Sequence, residues 1–434
     1  MPGRPVTRPG PGPCTRGVLA GLSAVLLLTG CSGSGDAPAG TASGPSTPAP
    51  ALTSSSEPAA PDPTDVASAV DALLTRREAA LVAGDADAFA ATVLDPGTDT
   101  GRRQVSGLAA ARALRVTRLT HDVVAPVDDP RAVDVTLRYR LAGTDRGERT
   151  ARVRYAVVDD GPGWRVDSEL ALDGEPAPPW VAMPELAVRR TAHAVVAGTA
   201  GASALDEAAR TVDREVPVLR RGWSGTPAHV LVLVPDTVAE AAALGASGDG
   251  PGRVAATTDG PLDADGRATA DRVLLDPQAR RRLTTVGRDV VLTHELAHVA
   301  VRATVPGTTP TWLSEGYADH VGYARADVPR SALLAPLVAA VREGSAPDDL
   351  PSATSLDPSV GDIEVAYLAA WQAAELVVER RGEAGLRRLV QRCTVTGPAQ
   401  DAERTCDAAM PSVLGTDRAG FTRLWRQRLA ALSR

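Results

Sequence analysis

The sequence predicts an α+β protein with two folded units behind an N-terminal leader. Two observations predict it. Apolar residues keep a helical spacing over Val66 to Val82, then give way to short β-rich runs between Leu114 and Leu172. After a Pro-rich break at Glu175-Pro176-Ala177-Pro178-Pro179, a second succession begins, strand-rich up to Asp276 and helical beyond. At 434 residues the chain has room for two domains, and 44% apolar with 23% charged residues is ordinary for a globular protein.

The leader stands apart from the fold. Arg4, Arg8 and Arg16 precede the apolar stretch Gly17 to Leu28, which is too short to span a bilayer but suits a signal-peptide core. Leu28-Thr29-Gly30-Cys31 resembles a bacterial lipobox. That resemblance implies that residues 1–30 are a lipoprotein signal peptide and that Cys31 is acylated. The lipid then holds the chain on the outer face of the cytoplasmic membrane without a spanning helix. Losing residues 1–30 removes three arginines and no acid, taking the formal charge from −7 to −10. Residues 31–61 are mostly Ser, Gly, Ala, Pro and Thr, which bury no core and predict a disordered tether.

The chain has no Lys and no Asn, so all 46 basic residues are Arg. Ala, Gly, Pro, Arg and Val dominate, a bias towards GC-rich codons. The arginines are scattered rather than gathered into a stripe, and the net charge is negative. Nucleic acid is therefore not an expected partner.

Residues 62–172 form the first expected unit. A helix over Val66 to Val82 is broken at Gly84-Asp85 before a short helix from Ala86 to Val93. Strands are expected at Leu114 to Leu119, Val133 to Leu141, Ala151 to Val158 and Trp164 to Leu172. Asp159-Asp160-Gly161-Pro162-Gly163 should turn the last two into a hairpin. Helices followed by a meander ending in Gly163-Trp164-Arg165-Val166 resemble the cone-like, nuclear-transport-factor-like fold. No convergent acid/base set is visible in this unit, which suits a binding or spacer module.

Residues 173–434 form the second unit. Leu186 to Ala197 and Ala202 to Val218 read as helices, His229 to Pro235 as a buried strand and Val238 to Leu244 as a helix. Arg253 to Thr258 and Arg272 to Asp276 read as further strands. A helix runs through Val290 to Val299, a second spans Pro310 to Ala324, and helix predominates to the C-terminus.

The chemistry is concentrated in those two helices. His294-Glu295-Leu296-Ala297-His298 places two imidazoles four residues apart, on one face of a helix, where both can bind one ion. Zinc needs a third ligand and, in a catalytic site, an open fourth position. Sixteen residues separate His298 from Glu315, enough for a loop and a returning helix. Glu315 and Asp319 are again four apart, so one carboxylate can ligate while the other fixes the tautomer of a ligating imidazole.

These residues resemble the gluzincin branch of the zincin metallopeptidases, the group of thermolysin and the membrane alanyl aminopeptidases. The resemblance implies a zincin-like domain and a Zn²⁺ ion held by His294, His298 and Glu315. It makes Glu295 the general base, Asp319 the acid behind a ligating histidine, and peptides or proteins the substrates. Trp312-Leu313-Ser314-Glu315-Gly316-Tyr317-Ala318 looks most like the aminopeptidase segment, but no Gly-x-Met-x-Asn signature is present, so endo- and exopeptidase remain equally open. Family members add a Tyr or His that helps hold the oxyanion. Tyr367, at the start of an apolar helix, is the candidate here, with a structural hydroxyl as the alternative. The resemblance also implies that Arg272 to Asp276 presents an edge to extended peptides.

The remaining histidines are expected to be structural or exposed, and Tyr317 and Tyr323 to pack beside the metal helix. Cys393 and Cys406, with twelve residues between them in an exported chain, predict a disulfide. Two other functions fit the same motif: a non-catalytic zinc-containing binding lipoprotein, and an amidase acting on cell-wall peptides.

Overall fold

The computed structural model describes residues 63–126, 131–245, 254–357 and 363–433. The expected signal peptide and tether, with Cys31, lie outside the described residues.

The first unit opens with α1 (Pro63–Ala83), α2 (Ala86–Ala90) and α3 (Asp99–Leu114). Gly84 ends α1 in the left-handed region (φ 68°), and Asp85 caps α2 by accepting from the Ala88 N–H. The sheet follows as β1 (Val116–Pro126), β2 (Ala132–Leu141), β3 (Arg149–Asp159) and β4 (Trp164–Ala171), antiparallel in that order. Alternation sends Val133, Val135 and Leu137 of β2 and Val153, Tyr155 and Val157 of β3 inward, against Val70, Leu73 and Leu74 of α1. Helix α3 was not anticipated. Its buried face is built largely of Gly101, Gly107, Ala110 and Ala111, residues that give no apolar stripe. Glycine at 107 permits a close approach, since a Cβ there would stand 3.0 Å from the Trp180 carbonyl. The interior also holds charge: Arg77 donates to Glu169 (2.9 Å) and Thr92 (3.2 Å) and lies over the Phe89 ring, and Tyr155 donates to Glu169 (2.9 Å).

The second unit begins with α4 (Pro179–Ala182), β5 (Ala187–Arg190), β6 (Ala194–Gly198), α5 (Ala202–Gly222), β7 (Val230–Val234) and α6 (Val238–Ala243). It continues through β8 (Ala256–Asp259), β9 (Arg272–Leu275), α7 (Pro277–Arg282), α8 (Thr285–Thr304) and α9 (Thr311–Tyr323). The last helices are α10 (Arg330–Leu333), α11 (Ala335–Glu343), α12 (Ile363–Cys393), α13 (Ala399–Leu414) and α14 (Arg418–Ala431). The sheet runs β5-β6-β7-β9-β8, with β6, β7 and β9 parallel and both edges antiparallel.

Two expectations are corrected here. The helix expected over Leu186 to Ala197 is the β5–β6 hairpin. Strand β6 is buried along its whole length, so its apolar residues run without a break and its period is unreadable. Gly198 lies so close to the Val234 carbonyl that no Cβ would fit. The second correction concerns the edge: β9 sits between β7 and β8, and β8 is the edge strand on that side.

Alternation then divides the sheet between two cores. Ala194 and Val196 of β6, with Val230, Val232 and Val234 of β7, face α5, α8, α9 and α12. Val195, Ala197, Leu231, Leu233 and Leu274 face the other way, onto Leu108 and Leu114 of α3, Tyr139 and Leu141 of β2, and Trp180. The first unit therefore covers one face of the second unit's sheet while helices cover the other. Among the described residues no helix is long and apolar enough to cross a membrane.

Candidate metal centre

Helix α8 starts at Thr284, whose hydroxyl accepts from the Gly287 N–H, and is buried without interruption from Val290 to Ala300. Its His294, Glu295 and His298 are therefore in the interior, 1%, 1% and 9% exposed. Helix α9 crosses it closely. A Cβ at Gly322 would stand 3.1 Å from the Val290 carbonyl, and one at Gly316 only 2.4 Å from the Ala370 carbonyl of α12. These two glycines let α9 lie between α8 and α12 and bring Glu315 and Asp319 to the histidines.

The side chains converge on one point. Nε2 of His294 and Nε2 of His298 are 3.1 Å apart, and Glu315 Oε2 lies 3.3 Å from the first and 3.5 Å from the second. An ion bound tetrahedrally at about 2.0–2.2 Å separates its ligands by roughly 3.3–3.5 Å; both carboxylate–imidazole distances match this, and the two Nε2 atoms stand slightly closer. Glu315 Oε2 is buried and has no hydrogen-bond partner. A native fold rarely leaves a buried carboxylate oxygen without a hydrogen-bond partner, and a cation at the convergence point would satisfy it. The outer nitrogens have oxygen partners: His294 Nδ1 donates to Asp319 Oδ1 at 2.8 Å, and His298 Nδ1 lies 3.5 Å from the Ser314 hydroxyl. A carboxylate only accepts, so Asp319 holds a proton on Nδ1 and leaves Nε2 as the His294 nitrogen turned towards Glu315. Among the described residues, His294, His298 and Glu315 are the one such group within ligand reach.

Charge at the site follows from burial and proximity. Burial pushes the Glu315 carboxyl up, but the facing imidazoles of His298 and His294 outweigh it and hold it down at about 2. Burial pushes His294 down, while Asp319 and Glu315 outweigh that and raise it to about 10 with no ion between them. A metal ion competes with that proton, because imidazole ligates in its neutral form.

Glu295 stands outside the ligand group. Burial raises its carboxyl, against the pull of His294 and His298. Its Oε2 accepts from the Thr258 hydroxyl at 2.7 Å, a contact from edge strand β8. Nothing in the sequence singled out Thr258, thirty-seven positions upstream. Tyr367, buried at the start of α12, has its ring centroid 6.4 Å from that of His294. All five predicted residues of the two helices are thus brought together, with Tyr367 beside them.

The other candidates fall elsewhere. Tyr317 accepts from the Trp223 indole at 2.5 Å, and Tyr323 packs on Trp371, so both are packing residues as expected. His320 lies between Glu375 (2.6 Å) and Glu383 (2.8 Å), on the α12 side of α9. His121 is held by Glu78 (2.9 Å) and Asp71 (3.1 Å) in the first unit, and His193 contacts the Ala228 carbonyl. Cys393 and Cys406 form the expected disulfide. Just beyond it Val395 pairs with Thr308, tying the end of α12 to the loop that leads into α9. No protein-family model matches the chain, and no curated protein matches it.

Proposed function

We propose that the chain is a zinc-dependent peptidase of gluzincin type, acting outside the cell from a lipid anchor at Cys31. The observation that carries the reading is the unpaired, buried Glu315 Oε2 at coordination spacing from two Nε2 atoms, with Glu295 beside the group rather than in it. A purely structural site has no use for a buried carboxylate held next to its ligands. The edge position of antiparallel β8 beside the metal helix supports a zincin-like domain, and helices packed on an antiparallel sheet support a cone-like first unit. The lipid anchor rests on the sequence pattern at Leu28 to Cys31.

Zinc held by His294, His298 and Glu315 would supply a Lewis acid that brings a water's pKa towards roughly 7. Glu295, whose carboxylate lies beside the ligand group, would accept a proton from a water there and pass it to the departing amine. The raised affinity of Glu295 for a proton, caused by its burial, suits a group that accepts and then donates. Asp319 keeps His294 oriented throughout. Tyr367 is the candidate donor to the developing oxyanion. The outer edge of β8 offers backbone N–H and C=O groups to an extended peptide, which gives binding without a required sequence.

The test compares wild type with Glu295→Ala for bound zinc and for cleavage of a mixed peptide library. We expect both proteins to hold one zinc and the variant to lose roughly 10²- to 10⁴-fold in kcat. A zinc-loaded wild type that cleaves nothing would replace this reading with a binding module, and a wild type that takes up no zinc would end it.

A further inference from the structure

The turn between β2 and β3 reaches out of the first unit onto the second, where Arg146 donates to the Ala268 carbonyl (2.7 Å) and the turn also grips one cross-strand pair. In the second sheet Asp259 of β8 stands opposite Arg272 of β9. Both members are gripped from here, one by Asp145 in the turn and the other by Arg149, the first residue of β3. Arg149 donates to the Asp259 carboxylate (2.9 Å), to its carbonyl (3.1 Å) and to the Ala270 carbonyl (2.9 Å). Asp145 accepts two bonds from Arg272, at 2.7 and 2.8 Å, in a pair whose side chains are 0% and 3% exposed. An ion pair this deep holds a geometry firmly, because breaking it leaves an uncompensated buried charge.

The grip bears on the metal centre through one residue. Thr258 immediately precedes Asp259, and its hydroxyl donates to Glu295 Oε2. The metal helix is tied to the same node, since Arg302 of α8 pairs with Asp271 (3.0 Å) and donates to the Gly260 carbonyl (3.0 Å). Glu295 is buried and lies outside the candidate ligand group, and the Thr258 hydroxyl is the side-chain donor that holds its carboxylate.

We propose that the β2–β3 turn of the first unit, together with Arg149 at the start of β3, is a positioning element of the second unit's site: by clamping the Asp259–Arg272 pair it fixes β8, and β8 seats Glu295 through Thr258. The inference rests on the peptidase reading. Thr258, Arg149 and Asp145 are positioning residues that act through Glu295, and the first unit is a working part of the centre rather than a spacer.

The test uses the full chain and four readouts: zinc content, Tm, kcat and KM on a cleaved peptide, and hydrogen exchange at the β8 amides. Thr258→Val keeps shape and removes the hydroxyl. We expect it to hold its zinc and its Tm and to lose kcat by roughly ten- to hundredfold at nearly constant KM, with Thr258→Ser restoring most of the loss. Arg149→Lys keeps the charge and loses the fork. We expect faster exchange in β8, unchanged zinc, and a kcat lower by roughly three- to tenfold. A wild type that cleaves while Thr258→Val matches it within a factor of two overturns this role alone. Looser β8 exchange in Arg149→Lys with unchanged kcat overturns the part assigned to the first unit. A zinc-loaded wild type that cleaves nothing removes the peptidase reading and this role with it.

Discussion

Helix α9 carries a histidine–carboxylate cluster on each side, and the two have different fates. Towards α8, His294, His298, Glu315 and Asp319 turn three donor atoms onto one point and leave Glu315 Oε2 unpaired. Towards α12, His320 spends one nitrogen on Glu375 and the other on Glu383, while Arg330 pairs with Glu375 and the Trp371 indole donates to it. The compositions are alike. What differs is direction: in the first cluster lone pairs converge, and in the second every imidazole nitrogen ends on a separate carboxylate. Convergence leaves a place for a cation, whereas a chain of pairs closes itself.

Removing a converging donor should break the contrast most strongly. Glu315→Ala leaves two ligands, and zinc affinity should fall by roughly a hundred- to thousandfold, read by competition with a chromophoric chelator. Asp319→Ala keeps all three ligands but frees the His294 ring. It should weaken zinc by roughly 10- to 100-fold and lower activity in step.

On the opposite face the effects should be on stability alone. His320→Gln should leave zinc content unchanged and destabilise the fold by about 1–3 kcal/mol, measured by denaturant unfolding. Its pH dependence has a definite sign. Burial lowers the His320 imidazole, but Glu375 and Glu383 outweigh it and raise it above its usual value. The contribution of His320 is therefore complete below about pH 6.5 and fades as pH rises through the raised native value. The stability gap between wild type and His320→Gln should shrink from pH 6 to pH 9. Glu375 works at the acid end: burial raises it, but its bonds from His320 and Arg330 hold it at about 2. Its contribution is present above about pH 4.3 and is lost as pH falls towards 2. The smallest effect is expected of Arg330→Ala, a half-exposed partner of Glu375 that also lies over Trp371. About 0.2–1 kcal/mol of stability should be lost, reduced further by salt, with zinc unaffected.

Most of the site was legible in the sequence, because its five central residues come from two helices in which spacing of four already states the geometry. Tyr367 was legible only as a tyrosine on an apolar helix, and the structure brings its ring near His294. The elements that went unread share a cause. Helix α3 buries mainly glycine and alanine beside two leucines, and β6 is apolar on both faces, so neither shows a clear period. Thr258, Arg149 and Asp145 left no signal, since each is an ordinary residue whose partner lies on a distant part of the chain.

By itself, the sequence determined the local chemistry: a pair of imidazoles on one helix face, a carboxylate pair on another, a cysteine pair close enough to bond, and an α+β succession of elements. Periodicity and short spacings are properties of consecutive residues, and they survive in the fold unchanged. Only the tertiary structure decided how the pieces meet. It made β8 rather than β9 the edge strand, stacked the first unit on the second unit's sheet, and laid a threonine hydroxyl on Glu295. Those outcomes depend on long-range packing, in which side chains far apart in sequence compete for the same buried surface, and no local pattern encodes the winner.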